Sequence, residues 1–252
     1  MNDLFISYAH IDDLPISEDQ KGWISEFHRV LQNRLAQLMG EKPKIWRDQK
    51  LSGSDIFDNE IVDQFKNTKL MVSVLSPRYI KSEWCNKEIK EFYRNAELSS
   101  GVALAGKSRV LKVVKTPYDP QDVHPELKQV FGSVLGFNFY DFDNDSGKVV
   151  EYNEAFGKEA RQNYFTRIYD LAYEICEILK KSDGKRSGLS ETTLPKQGAK
   201  TVYLATTTAD RNEDRENIAR DLRERGHLIL PDRQLPFDEE TMKGLISQFM
   251  ER

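Results

Sequence analysis

Residues 70–92 read LMVSVLSPRYIKSEWCNKEIKEF, and the fold turns on them. The first six, Leu70 to Leu75, are almost continuously apolar, the pattern of a strand buried on both faces of a parallel sheet. Ser76 and Pro77 end that strand, because proline cannot continue a ladder and restricts the residue before it. A helix is then expected from Ser82, a residue suited to N-capping and followed by Glu83 in the first turn. Cys85, Ile89 and Phe92 recur at helical spacing and define its core face. Trp84 and Glu88 lie four apart on a neighbouring face, which stacks an indole beside a carboxylate. The pair follows the carboxyl end of a buried strand, the end at which open α/β sheets bind their ligands.

The same alternation extends in both directions. Residues 4–8, LFISY, form a strand almost at the first residue, and residues 9–19 form a polar loop. A helix follows with Trp23, Phe27, Val30, Leu31, Leu35 and Leu38 on one face, Ser17 as candidate N-cap and Gly40 as its stop. Residues 44–47 are a short second strand. The polar loop 48–54, DQKLSGS, leads into a helix that uses Phe57, Ile61 and Phe65, with Phe57 read as core. After the central run come a small-residue stretch, a buried strand at 110–114, a short helix near 126–131, and a last strand at 137–142. A long helix spans about 155–181, with Ile168, Leu171, Ala172, Ile175, Ile178 and Leu179 as its stripe and its charges as a solvated face. This order is that of a flavodoxin-like, doubly wound parallel α/β domain over residues 1–182. Residues 183–199 carry Ser, Gly, Thr and charge without apolar period and read as a linker. Residues 200–252 repeat a β-α-β-α pattern too short to complete a sheet, so a truncated second α/β module is expected, with any sensor domain or partner lying beyond it.

Composition narrows the function. The formal charge of -4 disfavours a nucleic-acid-binding surface, and no apolar run reaches membrane-spanning length. The two cysteines, Cys85 and Cys176, fall inside helical patterns without ligand spacing, and the four histidines form no zinc motif. Reduced core thiols, no metal and a cytoplasmic protein are therefore expected. One phosphate-loop match, Gly101 to Ser108 (GVALAGKS), has its context inverted, since a helix precedes it and a strand follows. No GxGxxG follows the first strand, so dinucleotide redox chemistry has no support.

Three blocks, DLFISYAH at 3–10, IWRDQKLSGSDIFDNEI at 45–61 and LMVSVLSPRYIKSEWCNKEI at 70–89, resemble the signature segments of the TIR (Toll/interleukin-1 receptor) domain family. They are most similar to its NAD-cleaving members. The resemblance spans about residues 2–182, by specific motif in the first half and by element order after Asn95. It implies Glu88 as the catalytic residue, a position that non-enzymatic signalling members generally lack, and Trp84 as an aromatic lining the NAD site. It also implies that the loop after the second strand borders the active site and mediates self-association, here through Gln49, Lys50, Leu51, Ser52 and Gly53. Strand ends add Ser7, Tyr8, Trp46 and Asp48 as substrate-binding candidates, although Tyr8 can equally pack on the first helix and Asp48 can be a turn former. The implied activity is NAD+ nucleosidase in immune or anti-phage defence, switched on by homo-oligomerisation, with NAD+ as substrate and no other cofactor. The rival is a non-enzymatic TIR scaffold; a nucleosidase for other nucleotides ranks third.

The chemistry suits one carboxylate. Breaking the nicotinamide–ribose bond proceeds through an oxocarbenium-like transition state, as in glycoside hydrolysis. Nicotinamide leaves neutral, so no general acid is required. A single ionised glutamate can hold the ribose hydroxyls and offset the developing positive charge. Water as nucleophile gives ADP-ribose, whereas an internal nucleophile gives a cyclised product, and the sequence leaves both open.

Overall fold

The computed structural model describes residues 2–18, 20–47, 64–99, 101–104, 107–132, 134, 136–143, 146–182, 200–205, 207, 211–225, 227–231 and 246–247. In chain order these begin with β1 (Asn2–Ser7), a 3-10 turn (His10–Asp13), α1 (Trp23–Met39), β2 (Ile45–Arg47) and β3 (Thr68–Leu75). A single turn α2 (Pro77–Ile80), α3 (Glu83–Leu98), the two-residue strands β4 (Ala103–Leu104) and β5 (Lys107–Ser108), and β6 (Val110–Val114) come next. Then follow α4 (Pro125–Gly132), β7 (Gly136–Asn138), β8 (Tyr140–Phe142), β9 (Val149–Glu151) and α5 (Gly157–Ser182).

Five of the strands form one sheet in the order β2-β1-β3-β6-β7, parallel throughout. This is the doubly wound α/β arrangement expected from the sequence. Alternation along β1 sends Leu4 and Ile6 to one face and Phe5 and Ser7 to the other. The first face packs on α1 and α5, through Trp23, Phe27, Leu31, Ile168, Leu171 and Ile175. The second packs on α2, α3 and α4, through Tyr79, Ile89, Phe92, Leu127 and Phe131. Each fully buried aliphatic side chain contributes about 1.5–3 kcal/mol. Strand order reverses at β1, since β2 lies on one side of it and β3 on the other. The crevice at the carboxyl ends of β1 and β3 is thus the topological switch point.

Several local expectations need correction. Ser17 is not the cap of α1: the helix starts at Trp23 behind Gly22, which makes no side-chain cap bond. Asp13 does that work from outside, accepting from Ser25 N at 2.7 Å and from Ser25 Oγ at 2.8 Å. Gly22 is required there, because a Cβ would sit 1.8 Å from the Asp13 carbonyl oxygen. Gly40 does end α1, in the left-handed conformation at φ 76. The last strand is two strands. Phe139, fully buried, bonds to Val114 O and to Tyr152 N, so the chain leaves the main sheet there and β8 turns into an antiparallel pair with β9. The small-residue stretch adds an antiparallel pair, β4/β5, that the sequence did not announce, and α3 before it and β6 after it keep the inverted context read for the phosphate-loop match. The charges of α5 are not all solvated: Arg167 and Glu177 are buried, and Lys180 Nζ donates to Leu38 O at 2.9 Å near the end of α1.

Residues 183–199, and with them the expected linker, lie outside the described residues, as do Phe57 and Ile61. Beyond them β10 (Thr201–Tyr203), α6 (Asn212–Glu224) and β11 (Leu228–Leu230) make one parallel β-α-β unit. Arg220 of α6 grips Asp170 of α5 with two hydrogen bonds, at 2.6 and 3.1 Å. Of the second helix expected in that β-α-β-α pattern, over residues 238–250, only residues 246–247 are described. Among the described residues no helix is long and apolar enough to cross a membrane.

Candidate functional site

The site is built at the carboxyl ends of β1 and β3 by the helix that follows them. Ser82 caps α3, its hydroxyl accepting from Cys85 N at 3.3 Å. Cys85, Ile89 and Phe92 then point into the core as their spacing demands, each no more than 2% exposed. Glu88 shares that buried flank, at 3% exposure. A carboxylate so far from water is costly unless donors surround it. Ser7 Oγ, from the end of β1, donates to Glu88 Oε2 at 2.5 Å, and Trp84 Nε1 donates to Glu88 Oε1 at 3.2 Å. Trp84 itself is half-buried and packs on the edge of the second core. The i, i+4 spacing therefore produces the indole–carboxylate contact read from the sequence.

The neighbours of Glu88 are held neutral. Burial, then the nearby Cys85 thiol and the Glu88 charge, pushes the Tyr79 hydroxyl well above the usual phenol range. Burial, then Glu88, pushes the Cys85 thiol up as well. Both cysteines are buried free thiols.

The other candidates divide. Ser7, Trp84 and Glu88 come together. Trp46 sits on the same side of the sheet, its ring stacked on Phe5 at 4.7 Å between centroids. Tyr8 goes to the opposite face and joins the core against α1, with the Arg47 guanidinium 5.8 Å from its ring centroid. Asp48, Gln49, Lys50, Leu51, Ser52 and Gly53 lie outside the described residues.

Two groups of residues were not legible. Tyr79 reaches Ser7 Oγ at 2.9 Å. Asp12, in the turn after β1, accepts from Ser76 Oγ at 2.6 Å. Its carboxyl lies above the usual range because burial outweighs that hydrogen bond and the Lys115 charge. Lys115 is paired with Glu151 at 3.0 Å. A faint signal existed, since Ser7 is a polar residue in a strand otherwise buried and must find a partner. A cleft of about 160 Å³ opens beside Asp12, Lys115 and Glu151, and one of about 310 Å³ lies between α1 and α5 beside Trp23, Arg29 and Tyr164. Glu88 lines neither.

A family model for the TIR domain matches residues 4–148. No curated protein matches the chain. Among solved structures, the TIR domains of the activated Roq1 resistosome directly recognizing the pathogen effector XopQ are similar at 15% identity. That match covers 69% of this chain and 84% of the other, with a TM-score of 0.32.

Proposed function

The chain belongs to the TIR domain family, and from that premise we propose that it is an NAD+ nucleosidase with Glu88 as its catalytic residue. One observation carries this reading: a buried carboxylate, held by Ser7 and Trp84, stands at the switch point of a parallel sheet. Burial of a carboxylate is costly, and here two neutral side-chain donors that a substrate hydroxyl can replace, Ser7 and Trp84, meet it.

In the proposed reaction the bond between ribose C1′ and the nicotinamide nitrogen breaks, and its electron pair leaves with the neutral nicotinamide. Positive charge builds on the ribose, and Glu88 offsets it at short range in a dry site, where the attraction counts most. The Trp84 contact to Glu88 is longer than that of Ser7. A ribose hydroxyl replaces it on Oε1, and the displaced indole stacks on a ring of the substrate. Ser7 keeps Oε2 in place throughout. Water or an internal nucleophile then attacks C1′ and loses its proton. Self-association through the loop 48–53 completes the site, and NAD+ loss or the nucleotide product serves defence.

A second reading has its own observation. Glu88 is 3% exposed, and in a TIR scaffold it would be a satisfied core group. The two readings separate when concentrated or crowded protein is given NAD+ and free nicotinamide is measured beside Glu88→Ala. The enzyme is expected to release nicotinamide, and the variant to lose at least about a hundredfold. No release at any protein concentration would support the scaffold.

A further inference from the structure

We propose that Tyr79 is a positioning residue for Glu88, acting through the hydroxyl of Ser7. This rests on Glu88 being the acting carboxylate. A serine hydroxyl has one proton. Ser7 gives it to Glu88 Oε2, so the 2.9 Å contact between Ser7 Oγ and the Tyr79 hydroxyl runs the other way, with Tyr79 donating. With Ser7 donating to Glu88 the chain runs Tyr79 to Ser7 to Glu88, and the Ser73 hydroxyl also lies within reach of the phenol. All three groups are buried, at 0%, 1% and 3% exposure, so no solvent competes for these bonds.

Tyr79 is itself fastened. It lies in α2, a single turn that cannot persist by helix propensity alone. Ser76 caps that turn by accepting from Tyr79 N at 3.1 Å and donates its own proton to Asp12 at 2.6 Å. The turn is thereby tied to the loop after β1, and the phenol is presented to Ser7 at a set angle. Without the phenol proton, Ser7 Oγ loses the donor that orients it and its hydroxyl can rotate away from Glu88. The carboxylate then loses its shorter side-chain donor at Oε2, while the longer indole bond at Oε1 is the one the substrate displaces. A purely structural tyrosine would not produce this dependence, since phenylalanine fills the same apolar space.

The test uses the whole chain and two readouts. The first is the pH dependence of kcat and KM for nicotinamide release. The second is the indole N–H resonance of Trp84, which is donated to Glu88 and titrates with it whether or not the protein turns over; its loss of titration in Glu88→Gln secures the assignment. Among the described residues, the titratable groups placed near Glu88 include Tyr79 of α2, Cys85 on its own helix and Asp12, which acts on Cys85 in turn. Hydrogen bonds to a carboxylate favour its charged form, so removing one moves its titration to higher pH. Tyr79→Phe is expected to raise the midpoint of the Trp84 resonance by about half a pH unit, and to lower kcat about tenfold with KM within about twofold. Ser7→Ala is expected to move both the same way and serves if Tyr79→Phe folds poorly. The double variant should be no worse than Ser7→Ala alone. An unmoved midpoint, or losses that multiply in the double variant, would overturn the proposal. If the wild-type protein releases no nicotinamide, the enzymatic reading falls and the midpoint alone decides the relay.

Discussion

Two charges are buried at opposite edges of the same sheet, and they are held in different ways. Arg109 precedes β6 at the amino edge, 6% exposed. Its guanidinium donates to three backbone carbonyls, Thr68 O at 2.7 Å, Lys69 O at 2.8 Å and Gly101 O at 3.2 Å, and lies 5.4 Å from the Phe92 ring centroid. Glu88 lies near the carboxyl edge, equally buried, yet it is met by the side chains of Ser7 and Trp84. Carbonyls cannot leave without unfolding the strand, whereas a side-chain donor can be exchanged for a ligand. The amino-edge charge is therefore a clamp, whereas the carboxyl-edge charge has the exchangeable donors that the proposed catalysis needs, at the end where parallel sheets bind their ligands.

The comparison breaks first at Arg109. Arg109→Met leaves carbonyls of β3 without that donor and is expected to cost about 3 kcal/mol in denaturant unfolding. A loss below about 1 kcal/mol would remove the clamp from the account. Lys112 sharpens the contrast, because burial disfavours its charged form. Its ammonium lies 3.5 Å from Phe131 O, and burial pushes its pKa down from 10.5 to about 8. Between those values the unfolded chain binds more protons than the folded one, so stability rises with pH through that window. Below it the charged form is a burden. Lys112→Met is accordingly expected to gain about 1–3 kcal/mol at pH 7 and nothing above about pH 10.5, read from unfolding curves at the two pH values. The smallest effect belongs to a neutral contact of the carboxyl edge: Ser82→Ala removes the cap of α3 and should cost about 1 kcal/mol by thermal unfolding.

The division between what the sequence disclosed and what it hid follows the range of the contacts. Residues 70–92 were legible because their signals are local: an apolar run, a proline, a capping serine and an i, i+4 pair. The Trp84–Glu88 contact needs only helical geometry. Ser7 and Glu88 are 81 residues apart, and Ser7 and Tyr79 are 72 apart, so no pattern in the chain announces that they meet. Tyr8 was ambiguous for a related reason. A terminal strand residue can face either layer, and alternation after Ser7 sends it to the α1 side. The split at Phe139 was hidden because FNFYDF alternates smoothly, and only the carbonyl of Val114 tells the chain where the sheet ends. Asp13 capping α1 from outside the helix defeats any rule that looks for the cap next to the first turn.

The claim that matters most is that the Glu88 charge, rather than its shape, is used. Glu88→Gln keeps the size of the side chain and removes the charge. With the fold verified by circular dichroism, nicotinamide release from NAD+ by the variant is predicted to fall at least about a hundredfold below that of the wild-type protein assayed at the same concentration. Release at the wild-type rate would contradict the account and return Glu88 to the core.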